Sequence, residues 1–122
     1  ETYRRAIYHQ NARAARIDLF SEFDCPDSAF AAPARASTTT PLQALTLLNH
    51  RFTLDMAGFL AGRIEREAGS DARAQIGRAF RLLGNRAPAA EEEAASLTLL
   101  QHYGLPALCR ALLNSNELVY LQ

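Results

Sequence analysis

The sequence predicts an all-α protein, a compact bundle of four to five helices with one long central helix and a long loop on its N-terminal side. Three observations predict it. Apolar residues recur at three- to five-residue steps, as in Leu45, Leu48, Phe52, Met56, Phe59 and Ile64, which is the helical period. The breaks between such stretches fall at Gly69, Gly84, Pro88, Gly104 and Pro106, where glycine ends helices and proline opens them. No segment alternates with period two or carries a hairpin turn pair. With 122 residues and 48% hydrophobic content, there is enough chain for one core, so residues 1–122 read as a single helical domain.

Residues 3–15 read as a first helix, with Tyr3 and Ile7 on one side and Arg4, Arg5 and Arg13 on the other. Ile17, Leu19, Phe20 and Phe23 form a short apolar stretch that either extends this helix or runs as an irregular clip. Residues 24–40 read as a loop rich in Pro, Ser and Thr, a length that compact domains reserve for functional or self-packed segments. The clearest start follows. Thr40 is placed as an N-cap, Pro41 suits the first helical position, and Gln43 completes a capping box. From there one helix is expected to run to about Ala68, roughly 42 Å at 1.5 Å per residue. Its Gly58 and Gly62 are read as a site of close helix crossing, next to Ala57 and Ala61. Gly69 ends it.

Ser70 and Asp71 open the next helix, which buries Ile76, Phe80 and Leu83 and stops at Gly84. Pro88 opens another, with Glu91, Glu92 and Glu93 placed where acids complement the dipole, and Gly104 stops that one. Pro106 begins the last, carrying Leu108, Cys109, Leu112 and Leu113. The apolar tail Leu118–Val119–Tyr120–Leu121 is either a further turn or a docked extended end.

The charge balance narrows function. Thirteen basic residues, all arginine, face thirteen acidic ones, which argues against a dedicated nucleic-acid binder and a polybasic membrane-surface module. No apolar run reaches the length of a bilayer span. Without lysine there is no Schiff base and no phosphate-loop lysine. Cys25 and Cys109 lack zinc, redox and haem-attachment spacing. His9, His50 and His102 have no ligand partner at metal spacing, so no metal site is assigned. The chain begins at Glu1 and reads as a piece of a longer protein.

No catalytic residue is assigned either. Glu22, Asp24 and Asp27 around Pro26 suit a turn, with Asp27 bonding local backbone. The run from Ser37 to Thr40 lacks the base that a nucleophile needs, and capping accounts for Thr40. The helix start at Pro41, with Arg35 nearby, is an alternative anion site. His50, beside Asn49 and Arg51, is placed to join a polar patch with the loop.

Five segments carry a family resemblance: Y-R-R-A-I-Y (3–8), F-D-C-P-D (23–27), T-T-P-L-Q-A-L-T-L-L-N (39–49), A-F-R-L-L-G-N-R-A-P (79–88) with Glu91 and Glu92 following, and A-L-L-N-S-N-E-L (111–118). In this order they resemble the C-terminal PSD-type domain of unknown function found in planctomycete-type, cytochrome-associated exported proteins, and the resemblance extends over nearly the whole chain. It implies an extracytoplasmic (periplasmic or cell-surface) setting, upstream domains in the same chain, and haem c in one of those domains with no cofactor in this fragment. The matching motif positions are Asp24, Pro26, Asp27, Arg35, Thr39, Thr40, Pro41, Gln43 and Asn49. Ala34 replaces the first of the family's paired arginines. Ala87 stands where the family has a capping Ser or Thr before Pro88, a change that costs about 1 kcal/mol.

The reading reached is a non-catalytic helical module that packs against upstream domains or a protein partner. Its candidate ligand-binding residues are Asp24, Asp27, Arg35, Thr39, Thr40, Gln43, Asn49 and His50. The alternative is a cleft of a polysaccharide-acting or redox enzyme, completed by an upstream domain, to which Asp24, Asp27, Arg35 and His50 contribute. A third reading is a homodimer through the Gly58/Gly62 face.

Overall fold

The structure is a computed structural model that describes residues 8, 18–26, 30, 31, 33, 34 and 38–119. The helix expected over 3–15, Tyr8 excepted, and Tyr120 and Leu121 of the tail lie outside the described residues. Among those described, the fold is all-α: seven helices and no strand. They are α1 (Asp18–Glu22), α2 (Pro41–Asn49), α3 (Arg51–Ala68), α4 (Ala72–Gly84), α5 (Ala90–Tyr103), α6 (Leu105–Leu113) and α7 (Asn116–Val119). The short apolar stretch is α1, closed by Phe20 O accepting from the N–H groups of Phe23 (3.2 Å) and Cys25 (3.0 Å). The tail begins as the further helical turn α7.

The helix expected to run unbroken from 41 to 68 is instead two. His50 has extended backbone (φ −63°, ψ 138°), and its side chain accepts the Phe52 N–H at Nδ1, 3.1 Å away. It is thus the N-cap of α3, satisfying a donor that the start of a helix leaves orphaned. Asp71 caps α4 in the same manner, Oδ2 accepting from Ala74 N at 2.8 Å. The end of α4 is fixed by Asn85 in the left-handed conformation (φ 53°), the role the sequence suggested for Gly84. Helix α5 opens at Ala90 with Ala89 as its cap residue, two residues beyond the expected start at Pro88, so Ala87 does not occupy the cap. Gly104 (φ 81°) is both the C-cap of α5 and the N-cap of α6. One residue with positive φ, cheap only for glycine, turns the chain between them.

The chain divides into two compact units, residues 1–46 and 47–122. The buried core lies in the second: Ala57, Ala61 and Ile64 of α3; Ile76, Ala79 and Phe80 of α4; Leu105, Leu108 and Cys109 of α6. Leu97, Leu99 and Leu100 of α5 pack on its edge. Of the expected stripe, only Ile64 enters this core. Thr53, Ala57, Ala61 and Ile64 are buried, while Leu45, Leu48, Phe52 and Phe59 are exposed. Helix α3 makes its most extensive contact with α6, and Ala57 and Ala61 are buried in the shared core. Gly58 has open space where a side chain would stand, and Gly62 meets only Arg66 of its own helix. The buried small residues are therefore Ala57 and Ala61, one position back in register from the expected Gly58 and Gly62. Both cysteines are free thiols, Cys25 exposed and Cys109 buried. Burial, with the Glu65 charge adding to it, pushes the Cys109 thiol up to about 12, which makes it an inert packing residue.

Candidate functional site

Three polar centres stand out, each within one unit. The first, in residues 1–46, closes the loop. Asp24 sits at φ 56°, and its carboxylate accepts the Thr38 N–H at 2.6 Å and the Thr38 hydroxyl at 2.9 Å. That hydroxyl in turn accepts from Gln43 Nε2 at 3.2 Å. Gln43 completes the capping box: its Oε1 accepts the Thr40 N–H at 3.0 Å, and its own N–H donates to Thr40 Oγ1 at 3.2 Å. Gln43 is the one buried side chain of α2. Because its amide serves both Thr38 and Thr40, burial leaves it satisfied. Asp24, Thr38, Gln43 and Thr40 thus form one continuous hydrogen-bonded clasp.

The second centre lies within residues 47–122. Arg110 Nη2 donates to Asn49 Oδ1 at 3.1 Å, and the buried Arg110 Nε has no hydrogen-bond partner among the described residues. His50, next along the chain, spends Nδ1 on its cap. Thr39 is exposed. Asp27 and Arg35 lie outside the described residues. Of the candidates, the structure links Asp24, Thr40 and Gln43 through Thr38, and ties Asn49 to Arg110.

The third centre is one that sequence reasoning missed. Arg86 donates from both Nη atoms to Glu92 at 2.6 Å each. To Glu117 it donates from Nε at 3.0 Å and from Nη2 at 2.8 Å, and its remaining Nη1 proton goes to Ala87 O at 3.1 Å. The guanidinium lies 5.3 Å from the centre of the Phe80 ring, a cation–π arrangement. Glu92 also accepts the Ala89 N–H at 2.7 Å, the reach-back half of a capping box. These bonds, Arg86 first and Ala89 second, lower the Glu92 carboxyl to about 2. Arg86 likewise lowers Glu117, and the two carboxylates raise Arg86 above the ordinary arginine value. Gly84 makes room: a Cβ there would stand 2.8 Å from Glu117 Oε1. The signal was present in the sequence, since Arg86 and Glu117 each lie in a quoted motif segment. Their 31-residue separation hid the pairing.

This cluster lines a cleft of about 250 Å³ between α4, α5, α6 and α7, together with Phe80, Leu83, Leu112 and Leu118. Among the described residues there is no group of three or more His, Cys, Asp or Glu side chains placed to hold a metal. No described helix is long and apolar enough to cross a membrane.

A family model described as PSD1, protein of unknown function (DUF1553), matches residues 1–100. The match includes Asp24, the capping box and Arg86, and it stops before the A-L-L-N-S-N-E-L segment, so the resemblance is shown over less of the chain than expected. No curated protein and no solved structure matches the chain.

Proposed function

The chain belongs to the PSD1 (DUF1553) family of unknown function, and from that premise we propose that it is a non-catalytic packing module of a larger exported, cytochrome-associated protein. In this reading α2 docks on an upstream domain of the same protein or on a protein partner. The observation that carries it is the leucine side of α2. Leu42, Leu45 and Leu48 keep 54%, 55% and 39% of their surface exposed, on a helix whose only buried side chain is a glutamine. Neighbouring apolar side chains of this exposure suit a surface that another surface covers. The polar candidates support the same reading, because Asp24, Thr40, Gln43, Asn49 and His50 direct their functional groups to their own chain.

The test compares thiol labelling of a Leu42→Cys variant, in a Cys25→Ser background, in this chain alone and in the longer protein. The expected result is at least tenfold slower labelling in the longer protein. Equal rates would overturn the docking of α2. The wider setting is read from the same preparation: a Soret band, and recovery from the extracytoplasmic fraction, are expected. A haem-free or cytoplasmic protein would remove the cytochrome-associated, exported part of the proposal.

A further inference from the structure

We propose that the chain forms a two-fold homodimer through α3, two copies of which pack antiparallel along the stripe Phe52, Asp55, Phe59, Gly62, Arg66 and Gly69. These residues follow one another at alternating steps of three and four, the spacing of a coiled-coil seam. Thr53, Ala57, Ala61 and Ile64 turn one side of α3 into the core, and the stripe runs along the other. On it Phe52 and Phe59 keep 41% and 60% of their surface exposed, apolar area that association would remove from water. The glycines of the stripe stand open. A Cβ at Gly69 would meet nothing within 4 Å, and one at Gly62 would meet only Arg66 of its own helix, at 3.5 Å.

The occupant follows from the order of the stripe, which is complementary to its own reverse. In an antiparallel pair centred between positions 60 and 61, Phe59 faces the partner subunit's Gly62 and Phe52 faces the partner subunit's Gly69. Each ring thus meets a position that carries no side chain. In the same register Asp55 faces the partner subunit's Arg66, so each carboxylate meets a guanidinium. Arg66 is exposed. Asp55 stands 3.7 Å from Arg51, whose own side chain is 91% exposed, and a carboxylate has acceptor sites for a second guanidinium. The two-fold axis makes every one of these contacts twice. A parallel pair would instead set like charges against each other at both positions, which is unfavourable. A helix of 18 residues is about 27 Å long, and one such pair stays below the roughly 1,600 Å² of a standard interface. The dimer is therefore a weak one, with a dissociation constant on the order of 10–100 µM. The stripe shares no residue with the leucine side of α2, so the dimer stands or falls independently of the docking proposed above.

The test is sedimentation equilibrium of the 122-residue chain, with its thiols kept reduced, at concentrations from about 5 to about 500 µM, which bracket that affinity. A reversible monomer–dimer equilibrium is expected. Asp55→Arg and Arg66→Asp should each weaken it at least tenfold. The double variant Asp55→Arg/Arg66→Asp exchanges the charges and restores both cross-pairs, so its affinity should return to within about threefold of the parent chain. Gly62→Gln fills the place of the partner's ring with a better helix former than glycine. It should keep the helical circular dichroism and weaken association at least tenfold. A monomer throughout the range, which is also the result if another domain of a longer protein covers this face, would overturn the proposal. So would association that the single charge reversals or Gly62→Gln leave unchanged, or a double variant as weak as the single ones.

Discussion

Arg86 is the side chain on which most of the polar structure of residues 72–119 converges. Its bonds act on stability through pH, and the sign can be worked out. Glu92 titrates at about 2 in the folded chain and near 4.3 when unfolded. Unfolding therefore takes up a proton between those values, so the contribution is complete above about pH 4.3 and is lost as pH falls towards 2. Glu117 is shifted in the same direction by the same arginine. Arg86→Gln should thus lower the Tm at pH 7 and flatten the acid limb, with a smaller loss of Tm between pH 5 and 2.5 than in the parent chain. Because the cluster is solvent-accessible, salt screens it, and 1 M NaCl should narrow the difference between the two proteins. Thermal melts across pH at low and high salt check this. An acid limb of unchanged slope in Arg86→Gln would refute the assignment.

At the scale of elements, what the sequence made legible was local chemistry. Thr40 and Gln43 read as a capping box because both partners lie within four residues, and they form one. Gly69 and Gly104 read as stops because positive φ is a property of the residue itself, and both have it. The break at His50 was not legible, since histidine is not among the usual caps and the apolar period continues across it from Leu48 to Phe52. The core face of α3 was misjudged for a related reason. Size and hydrophobicity pointed to Phe52 and Phe59, whereas the residues buried are Ala57 and Ala61. Of the candidate site, Thr40 and Gln43 were legible as neighbours. The closure of Asp24 onto Thr38 and the pairing of Arg86 with Glu117 depend on contacts distant in sequence, which periodicity does not report. The His50 cap is itself testable. His50→Asn keeps an acceptor for the Phe52 N–H and should stay within about 0.5 kcal/mol of the parent chain, whereas His50→Leu should cost about 1 kcal/mol, the ordinary worth of an N-cap. Urea unfolding of both variants decides it. A His50→Leu protein as stable as the parent would mean that residues 41–68 accept the continuous helix the apolar pattern describes.

For the whole molecule the decisive fact is where the core lies. Every buried apolar residue of the cluster, from Ala57 to Cys109, belongs to residues 47–122. So do the His50 and Asp71 caps, the Asn49–Arg110 bond and the Arg86 cluster. Residues 1–46 hold their own clasp from Asp24 to Gln43. A chain cut to 47–122 therefore keeps the parts on which its cooperativity depends. It is also short, in the range where a single core supplies only about 3–5 kcal/mol. The expected outcome is a single sigmoidal urea transition, with helical circular dichroism per residue at least equal to that of the full chain. Superposition of the transitions seen by circular dichroism and by Cys109 accessibility would establish two-state unfolding, because that thiol reaches solvent only when α3, α4 and α6 separate. A gradual loss of helix, or labelling of Cys109 ahead of the helical transition, would show that residues 1–46 contribute to the core's stability beyond the contacts within residues 47–122.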